Sequence, residues 1–441
     1  MHLEPYQTKV NNELVHSLHK YSDLAQQYGT PLYIFDEESF RERVYNFKNA
    51  LENPYFETEL LFASKSVLTL AIAKLISEYG IGQDVVSAGE IFTGKKGGVQ
   101  PSKMYFHGNN KLDEELAFAV DQEVGTIVID NRMEAHRLNN ILEQKGKKQR
   151  ALLRLNPGVE AHTHEYIKTA NLDSKFGESV FDEKIEDIIE SIYNYDNIDL
   201  AGLHCHIGSQ IFDSESFIKA ADEMLHFAQR IQTNLNIPIR EINFGGGFGV
   251  YYTEEDKPFD IAEFLPNFIE HVHEKSTEYG IQLDKVTIEP GRSLVNNSGS
   301  TLYTIGDIKQ TVGGKKYAFI DGGMTDNIRP ALYQAEYEAA LPNKINEPVK
   351  ETYTIAGKAC ESGDVVINNI DLPQVETGDL LLVNGTGSYN YSMASNYNHI
   401  PIPAMVHIDG EKSYLTVKRQ SFEDIIAVSY THLTLPTICS V

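Results

Sequence analysis

Cysteine is scarce in this sequence: Cys205, Cys360 and Cys439 are the whole complement in 441 residues. They are too few and too dispersed for a disulfide framework, and no CxxC or histidine-rich spacing suggests a zinc or other metal site. Long apolar runs are missing as well. No segment approaches the roughly 18 consecutive apolar residues that cross a bilayer, and the opening MHLEPYQTKV has no signal-peptide pattern. A cytoplasmic protein with no membrane partner is expected. Positive charge is also in short supply, with 38 Lys and Arg against 63 Asp and Glu and a net charge of −25. Nucleic-acid binding over a broad surface needs Lys and Arg gathered on one face, so that class is set aside. Any anionic ligand must be held by a few local cations.

What is present is an ordinary globular composition, 41% apolar with 32 Gly, in a chain longer than one typical core. Short β-rich runs recur from residue 60: LLFASK (60–65), GQDVVS (82–87), KMYFHG (103–108), TIVIDN (126–131), ALLRLN (151–156), LAGLHCH (200–206), REINFGG (240–246) and KVTIEP (285–290). Between them lie stretches such as DEKIEDIIESIYNY and FIKAADEMLHFAQRIQTNL, whose apolar residues recur about every 3.6 positions. Near-continuously apolar strands alternating with helices predict an α/β fold, a parallel (β/α)8 barrel of the TIM type.

After Arg292 the texture changes to short alternating segments, TLYTIGDI, KKYAFIDGG, TYTIAGKAC, DLLLVNGT and SYLTVKRQ, separated by Gly, Asn and Asp turns. These predict a separate, mostly-β domain. The boundaries expected are an N-terminal segment over 1–30 that packs with the β-domain, the barrel over 31–292, the β-domain over 293–427 and a tail over 428–441. LYIFD (32–36) is a strand that could equally join the second domain. The tail VSYTHLTLPTICSV fits no element, reading as a frayed end or a read-through extension, and Cys439 is given no role.

A barrel of this kind carries its chemistry at the carboxyl ends of its strands. The residues there are Lys65, Asp84, His107, Arg154 with Asn156, His204 and His206 with Ser209, Gly245, Gly246 and Gly247, and Glu289 with Gly291 and Arg292. Taken alone, Lys65 is a solvated charge at a strand end. The last two ends alter that reading. FGGGFG (244–249) offers backbone N–H groups unobstructed by side chains and EPGR (289–292) adds a guanidinium, at the loops where barrels commonly bind phosphate. A phosphate handle opposite a lysine amine suits pyridoxal 5'-phosphate, whose aldehyde forms a Schiff base with the amine. Glu289 is then the natural anionic partner for its ring nitrogen, and His206 the ring that covers its face.

The ordered motifs are more specific still: DVVSAGE (84–90), GNNK (108–111), RLNPG (154–158), HTHEYIKT (162–169), SKFG (174–177), GLHCHIGSQI (202–211), FGGGFGVYY (244–252), EPGRSLV (289–295), DGGMTDNIRPALY (321–333), CESGD (360–364) and SYNYSMASNYN (388–398). On these, from about Tyr33 to Ile425, the chain resembles the pyridoxal-phosphate-dependent diaminopimelate decarboxylases. That family is related to the ornithine and arginine decarboxylases and is built on an alanine-racemase-type barrel of fold type III. The resemblance implies that Lys65 holds the cofactor, Asp84 orients Lys65, Glu289 pairs with the ring nitrogen and His206 stacks on the ring. It places Ser209, Gly247, Arg292 and Tyr389 around the phosphate or the neighbouring substrate carboxylate. Arg292, Arg329 and Tyr333 match positions for the distal carboxylate of diaminopimelate, and Glu361 one for its distal ammonium. Cys360 matches a residue contributed across a homodimer interface to protonate the carbanion.

The activity so implied is decarboxylation of meso-2,6-diaminopimelate to L-lysine and CO2, the last step of lysine biosynthesis. Its rivals are a decarboxylase of ornithine, arginine or carboxynorspermidine, an amino acid racemase, and a non-enzymatic pyridoxal-phosphate carrier; a simple carrier has no use for the second domain. Two stretches depart from the family pattern. FASKSV stands where many members have a YAVKAN-like sequence, and GSYNYSMASNYN where the opening is usually GAYG, with Lys65 and Tyr389 themselves retained.

Overall fold

The computed structural model describes residues 1–159 and 174–429. The HTHEYIKT motif (162–169) and residues 430–441, Cys439 among them, lie outside the described residues.

Eight parallel strands close into a barrel: β1 Glu57–Ala63, β2 Gly82–Val85, β3 Met104–Phe106, β4 Thr126–Ile129, β5 Gln149–Asn156, β6 Ile198–Cys205, β7 Glu241–Asn243 and β8 Lys285–Ile288. Each pairs with the next, and β8 returns to β1 through Lys285↔Glu57 to Ile288↔Leu60. All eight coincide with the expected strands to within three residues at either end. The barrel expectation holds because a strand covered on both faces must be apolar along its whole length.

The outer layer is made of α1 Glu37–Ala50, α2 Leu70–Tyr79, α3 Ala88–Gly97, α4 Asp113–Asp121, α5 Arg132–Lys145, α6 Ile185–Tyr193, α7 Ser214–Leu235 and α8 Ile261–Glu278. Short polar caps set where they start. Thr69, Ser87, Asn131 and Asp213 accept from the first-turn amides of α2, α3, α5 and α7, and left-handed Gly80, Gly98 and Gly146 end α2, α3 and α5. Strand β8 is followed only by the one-turn helix Arg292–Val295. The helix α1, which precedes β1, fills that place by packing against α8 and bringing Phe40 to 5.6 Å from Tyr79 of α2.

Inside the barrel Leu61, Tyr105, Val128, Leu152 and Ala201 form a buried cluster. A polar plug seals its amino end. The Tyr105 hydroxyl lies 3.0 Å from Glu241 and 3.1 Å from Glu59, Thr287 donates to Glu241 at 2.9 Å, Lys285 reaches Glu59 at 2.9 Å, and Arg150 pairs with Glu241. Every charge there has an opposite partner, as a dry interior requires.

The barrel unit comprises Met1–Tyr6, Asp36–Ser300 and Asn384–Ser392; the second unit comprises Gln7–Phe35, Thr301–Val383 and the chain from Met393 onward. The second unit is a mostly-β sheet whose strands run in the order 365–372, 351–356, 316–320, 299–310, 32–36, 404–409 and 412–417. Leu32–Asp36 thus joins this sheet, and each alternating segment expected after Arg292 carries a strand. No helix among the described residues is long and apolar enough to cross a membrane.

Candidate active site

At the end of β1 the chain turns through a short 3-10 segment, Ser64–Ser66, that aims Lys65 across the barrel mouth. The turn is braced on both sides, with Gln83 donating to Ser64 Oγ at 2.8 Å and Ser66 Oγ donating to Ala63 O at 2.8 Å. Lys65 Nζ lies 3.4 Å from Oδ2 of Asp84, a residue buried at the end of β2. Burial opposes the ammonium, but the carboxylate of Asp84, followed by Tyr389 and Glu289, raises Lys65 above the ordinary lysine range.

Across the mouth, buried Glu289 leaves β8 into a ring of donors. His107 Nε2 and Asn243 Nδ2 each donate to Oε1 at 2.7 Å, and His204 Nε2 donates to Oε2 at 3.1 Å. Burial alone would push this carboxyl up; the contacts from His107 and His204 outweigh it and hold Glu289 ionised, well below the usual carboxylate range. His204 is driven down to about 3 by burial against the pull of Glu289, so it donates as a neutral imidazole. A carboxylate has about four lone-pair positions. Three are filled by the protein, and the one left is on Oε2 of a residue that borders the cavity. The nitrogen atoms of His107 and His204 cluster with Glu289 as metal ligands would, but both are committed to the carboxylate.

The anion side is built from the loops after β6, β7 and β8. Gly245 and Gly247 have φ of +70° and +113°, which a side chain resists, and a Cβ on Gly246 would lie 2.3 Å from the carbonyl oxygen of Glu289. Arg292 donates to Ser209 Oγ from Nε at 3.3 Å and Nη2 at 3.2 Å, and to the Tyr252 hydroxyl from Nη1 at 2.5 Å. Its guanidinium sits 4.6 Å from the ring centre of Tyr389. Tyr389 is a non-glycine residue at φ +60°, a conformation costing about 1–3 kcal/mol that surrounding contacts must hold. His206 Nδ1 accepts from Gly246 N at 3.3 Å, and burial pushes this imidazole well below its ordinary pKa, so it is neutral.

One cleft is lined by Lys65, His206, Ser209, Gly246, Gly247, Glu289, Gly291, Arg292 and Tyr389. A neighbouring cavity of about 440 Å³ shares Lys65, His206 and Glu289 with it and adds His107, Asn109 and Arg154. Arg154 lies with its guanidinium 4.5 Å from the ring centre of Phe176. The donor set fits pyridoxal phosphate: an amine for its aldehyde, a fixed anion with one open acceptor for its ring N–H, and a glycine, serine and arginine cradle for its phosphate.

The remaining predicted residues belong to the second unit. Arg329 is buried and donates to the Tyr337 hydroxyl at 2.6 Å; Tyr333 is half-buried at the end of the same short helix. Cys360 and Glu361 are exposed on a turn in which Cys360 N donates to Asn398 Oδ1 at 2.7 Å. Asp364 organises that turn by accepting from Met324 N at 2.6 Å and Ala359 N at 2.8 Å. Sequence reading gave no role to Asn243, Tyr252 or Asp364. Each stands inside a quoted motif or strand, but a buried hydrogen-bonding partner has no signature of its own in a single sequence.

Residues 37–296 match the family model described as pyridoxal-dependent decarboxylase, pyridoxal binding domain. The chain is 46% identical over 403 residues to the diaminopimelate decarboxylase of Bacillus subtilis, covering 91% of this chain and 92% of that protein. It is 44% identical over 398 residues to that of Bacillus methanolicus, covering 90% and 92%. The crystal structure of the M. jannaschii diaminopimelate decarboxylase in complex with L-lysine superposes with a TM-score of 0.91 at 30% identity, covering 97% of this chain and 98% of that one. The chain therefore belongs to the diaminopimelate decarboxylase family of pyridoxal-dependent decarboxylases.

Proposed function

We propose that this chain decarboxylates meso-2,6-diaminopimelate to L-lysine and CO2 with pyridoxal phosphate as cofactor, working in the cytoplasm as a homodimer. The observation that carries the reading is the pairing of Lys65 with an ionised, fully buried Glu289 on one cavity. When bound, the cofactor supplies an aldehyde that captures amines and a protonated ring that takes up the electron pair released with CO2.

The protein's part is to hold charges and protons in place. Glu289 would accept the ring N–H, His206 would cover the ring, and Ser209, Gly245 to Gly247, Gly291, Arg292 and Tyr389 would hold the phosphate. Asp84 Oδ2 would keep Lys65 Nζ oriented and favour its charged form when it is free. Arg329 and Tyr333, with Arg292, are assigned to the distal carboxylate and Glu361 to the distal ammonium. A planar guanidinium suits a carboxylate, and losing such a charge-assisted bond costs about 2–3 kcal/mol. As the bond to the carboxyl carbon breaks, the α-carbon needs a proton. Cys360 of a second copy gives it from Sγ, and the exposed thiol is then refilled from water.

Decarboxylation assays across diaminopimelate stereoisomers, ornithine, arginine and carboxynorspermidine test this reading. The expected result is CO2 release from diaminopimelate alone, abolished in Lys65→Ala together with the visible cofactor band, and reduced about 30- to 150-fold in Arg329→Ala. Faster turnover of another substrate, or an undiminished Arg329→Ala, overturns it. A fully active monomer in sedimentation removes the shared site.

A further inference from the structure

Tyr389 reaches the barrel on a strap, Asn384–Ser392, that belongs to the barrel unit although the chain on both sides of it belongs to the second unit. The strap is fastened at two points. Ahead of the tyrosine, Ser388 Oγ donates to Asn296 Oδ1 at 2.6 Å and Gly387 N donates to the Asn296 carbonyl at 3.0 Å. Behind it, Ser392 Oγ donates at 3.1 Å to the carbonyl of Ser66, which also accepts from Tyr389 N at 2.7 Å. Asn296 is fully buried, and its Oδ1 takes a second bond, from the Tyr252 hydroxyl at 2.9 Å. That hydroxyl in turn accepts from Arg292. An unbroken path of hydrogen bonds therefore runs from Ser209 and Arg292 through Tyr252 and Asn296 to Ser388, and from the other side of Tyr389 to the residue next to Lys65.

We propose that Asn296, Ser388 and Ser392 are positioning residues for the anion site: they hold Tyr389 in its left-handed backbone conformation with its ring against the Arg292 guanidinium. This rests on the reading above that Arg292 and Tyr389 face the cofactor phosphate. A tyrosine at positive φ returns to an extended or helical conformation unless both flanks are tied. Here one flank is tied to Asn296, which binds the arginine's partner Tyr252, and the other to the lysine turn, so the ring cannot drift from either without breaking a bond.

The test measures orthophosphate binding to the cofactor-stripped full-length protein, which needs no assumption about the substrate, and the pyridoxal phosphate dissociation constant beside it. Ser388→Ala and Ser392→Ala are each expected to weaken orthophosphate binding about tenfold, and Ser392→Thr, which keeps the hydroxyl at an exposed position, to restore it. Each serine variant is then combined with Tyr389→Ala. Residues that act only through the tyrosine add no further loss in that background. Phosphate affinity within twofold of the unsubstituted protein in both serine variants, or equal losses with and without Tyr389, overturns the proposal. Loss of diaminopimelate turnover with phosphate affinity intact in the unsubstituted protein would instead count against the assigned substrate.

Discussion

Replacing His107 by alanine tests whether the barrel holds Glu289 as an anion. The bond removed is a 2.7 Å contact from Nε2 to Oε1 in a site where both side chains are buried. A hydrogen bond to a charged group contributes about 1.5–3 kcal/mol, and a shift of one pKa unit corresponds to about 1.4 kcal/mol. The Glu289 carboxyl should therefore titrate at higher pH in His107→Ala. Because its folded pKa lies below its unfolded one, Glu289 stabilises the fold above the ordinary carboxylate range and that contribution is lost as pH falls through the folded value. Raising the folded value moves this loss, and the acid limb of kcat/KM, to higher pH. His107→Gln, which keeps a donor, should move it less. The assay is the pH profile of CO2 release, with the carboxyl stretch of the cofactor-stripped protein followed by infrared difference spectroscopy as an activity-independent readout. An acid limb displaced by less than about 0.3 unit in a folded, cofactor-loaded His107→Ala would refute the reasoning.

Three further outcomes are expected. Since Asp84, Tyr389 and Glu289 raise Lys65, capture of pyridoxal phosphate by the stripped protein should accelerate with pH through about pH 10, and a plateau at about pH 8 in stopped-flow absorbance would contradict the electrostatics. Lys111 is buried with Nζ at 2.7 Å from both Glu134 Oε1 and Gly108 O; Lys111→Met should cost about 3–5 kcal/mol in urea unfolding by stranding Glu134, and adding Glu134→Leu should recover most of it. Glu241→Ala at the amino end should lower Tm by several degrees and leave KM for diaminopimelate unchanged; a raised KM would show that the plug reaches the site.

The barrel was legible because its constraint acts along a whole strand: LLFA and TIVI are apolar throughout, ALLRL is interrupted only by the cavity-lining Arg154, and polar side chains collect toward the strand ends. The path of the chain outside it was not. Single cuts between segments cannot anticipate that Met1–Tyr6 and Asn384–Ser392 belong with the barrel while Gln7–Phe35 belongs with the sheet. Short pieces of chain are assigned by hydrogen bonds such as Asn297 to Glu4 at 2.8 Å, which join residues almost three hundred positions apart and have no local pattern. The same holds for the site. Lys65 and Glu289 could be paired from their positions at strand ends, whereas Asn243 and Tyr252 enter as hydrogen-bond partners of Glu289 and Arg292. The two stretches that depart from the family pattern, FASKSV and GSYNYSM, meet at the Ser66 carbonyl, so what read as two separate departures is one contact.

The two ends of the barrel apply the same electrostatics to opposite purposes. At the amino end Glu241 is met by Tyr105, Thr287 and Arg150, and Glu59 by Lys285, so each carboxylate has a cationic partner. At the carboxyl end Glu289 accepts hydrogen bonds from His107, His204 and Asn243. His204 is neutral and Asn243 uncharged, so these two orient the negative charge of Glu289 without cancelling it, and Arg154 and Lys65 act on it from the same cavity. An anion held in this way would suit the ring N–H of the proposed cofactor as its remaining partner. Placing an arginine beside Glu289 would satisfy the carboxylate and remove the reason for the ring nitrogen to hold its proton. Hydrogen-bond donors on β6, on β7 and just after β3 thus leave Glu289 bordering the cavity at one end of a barrel that buried ion pairs stabilise at the other.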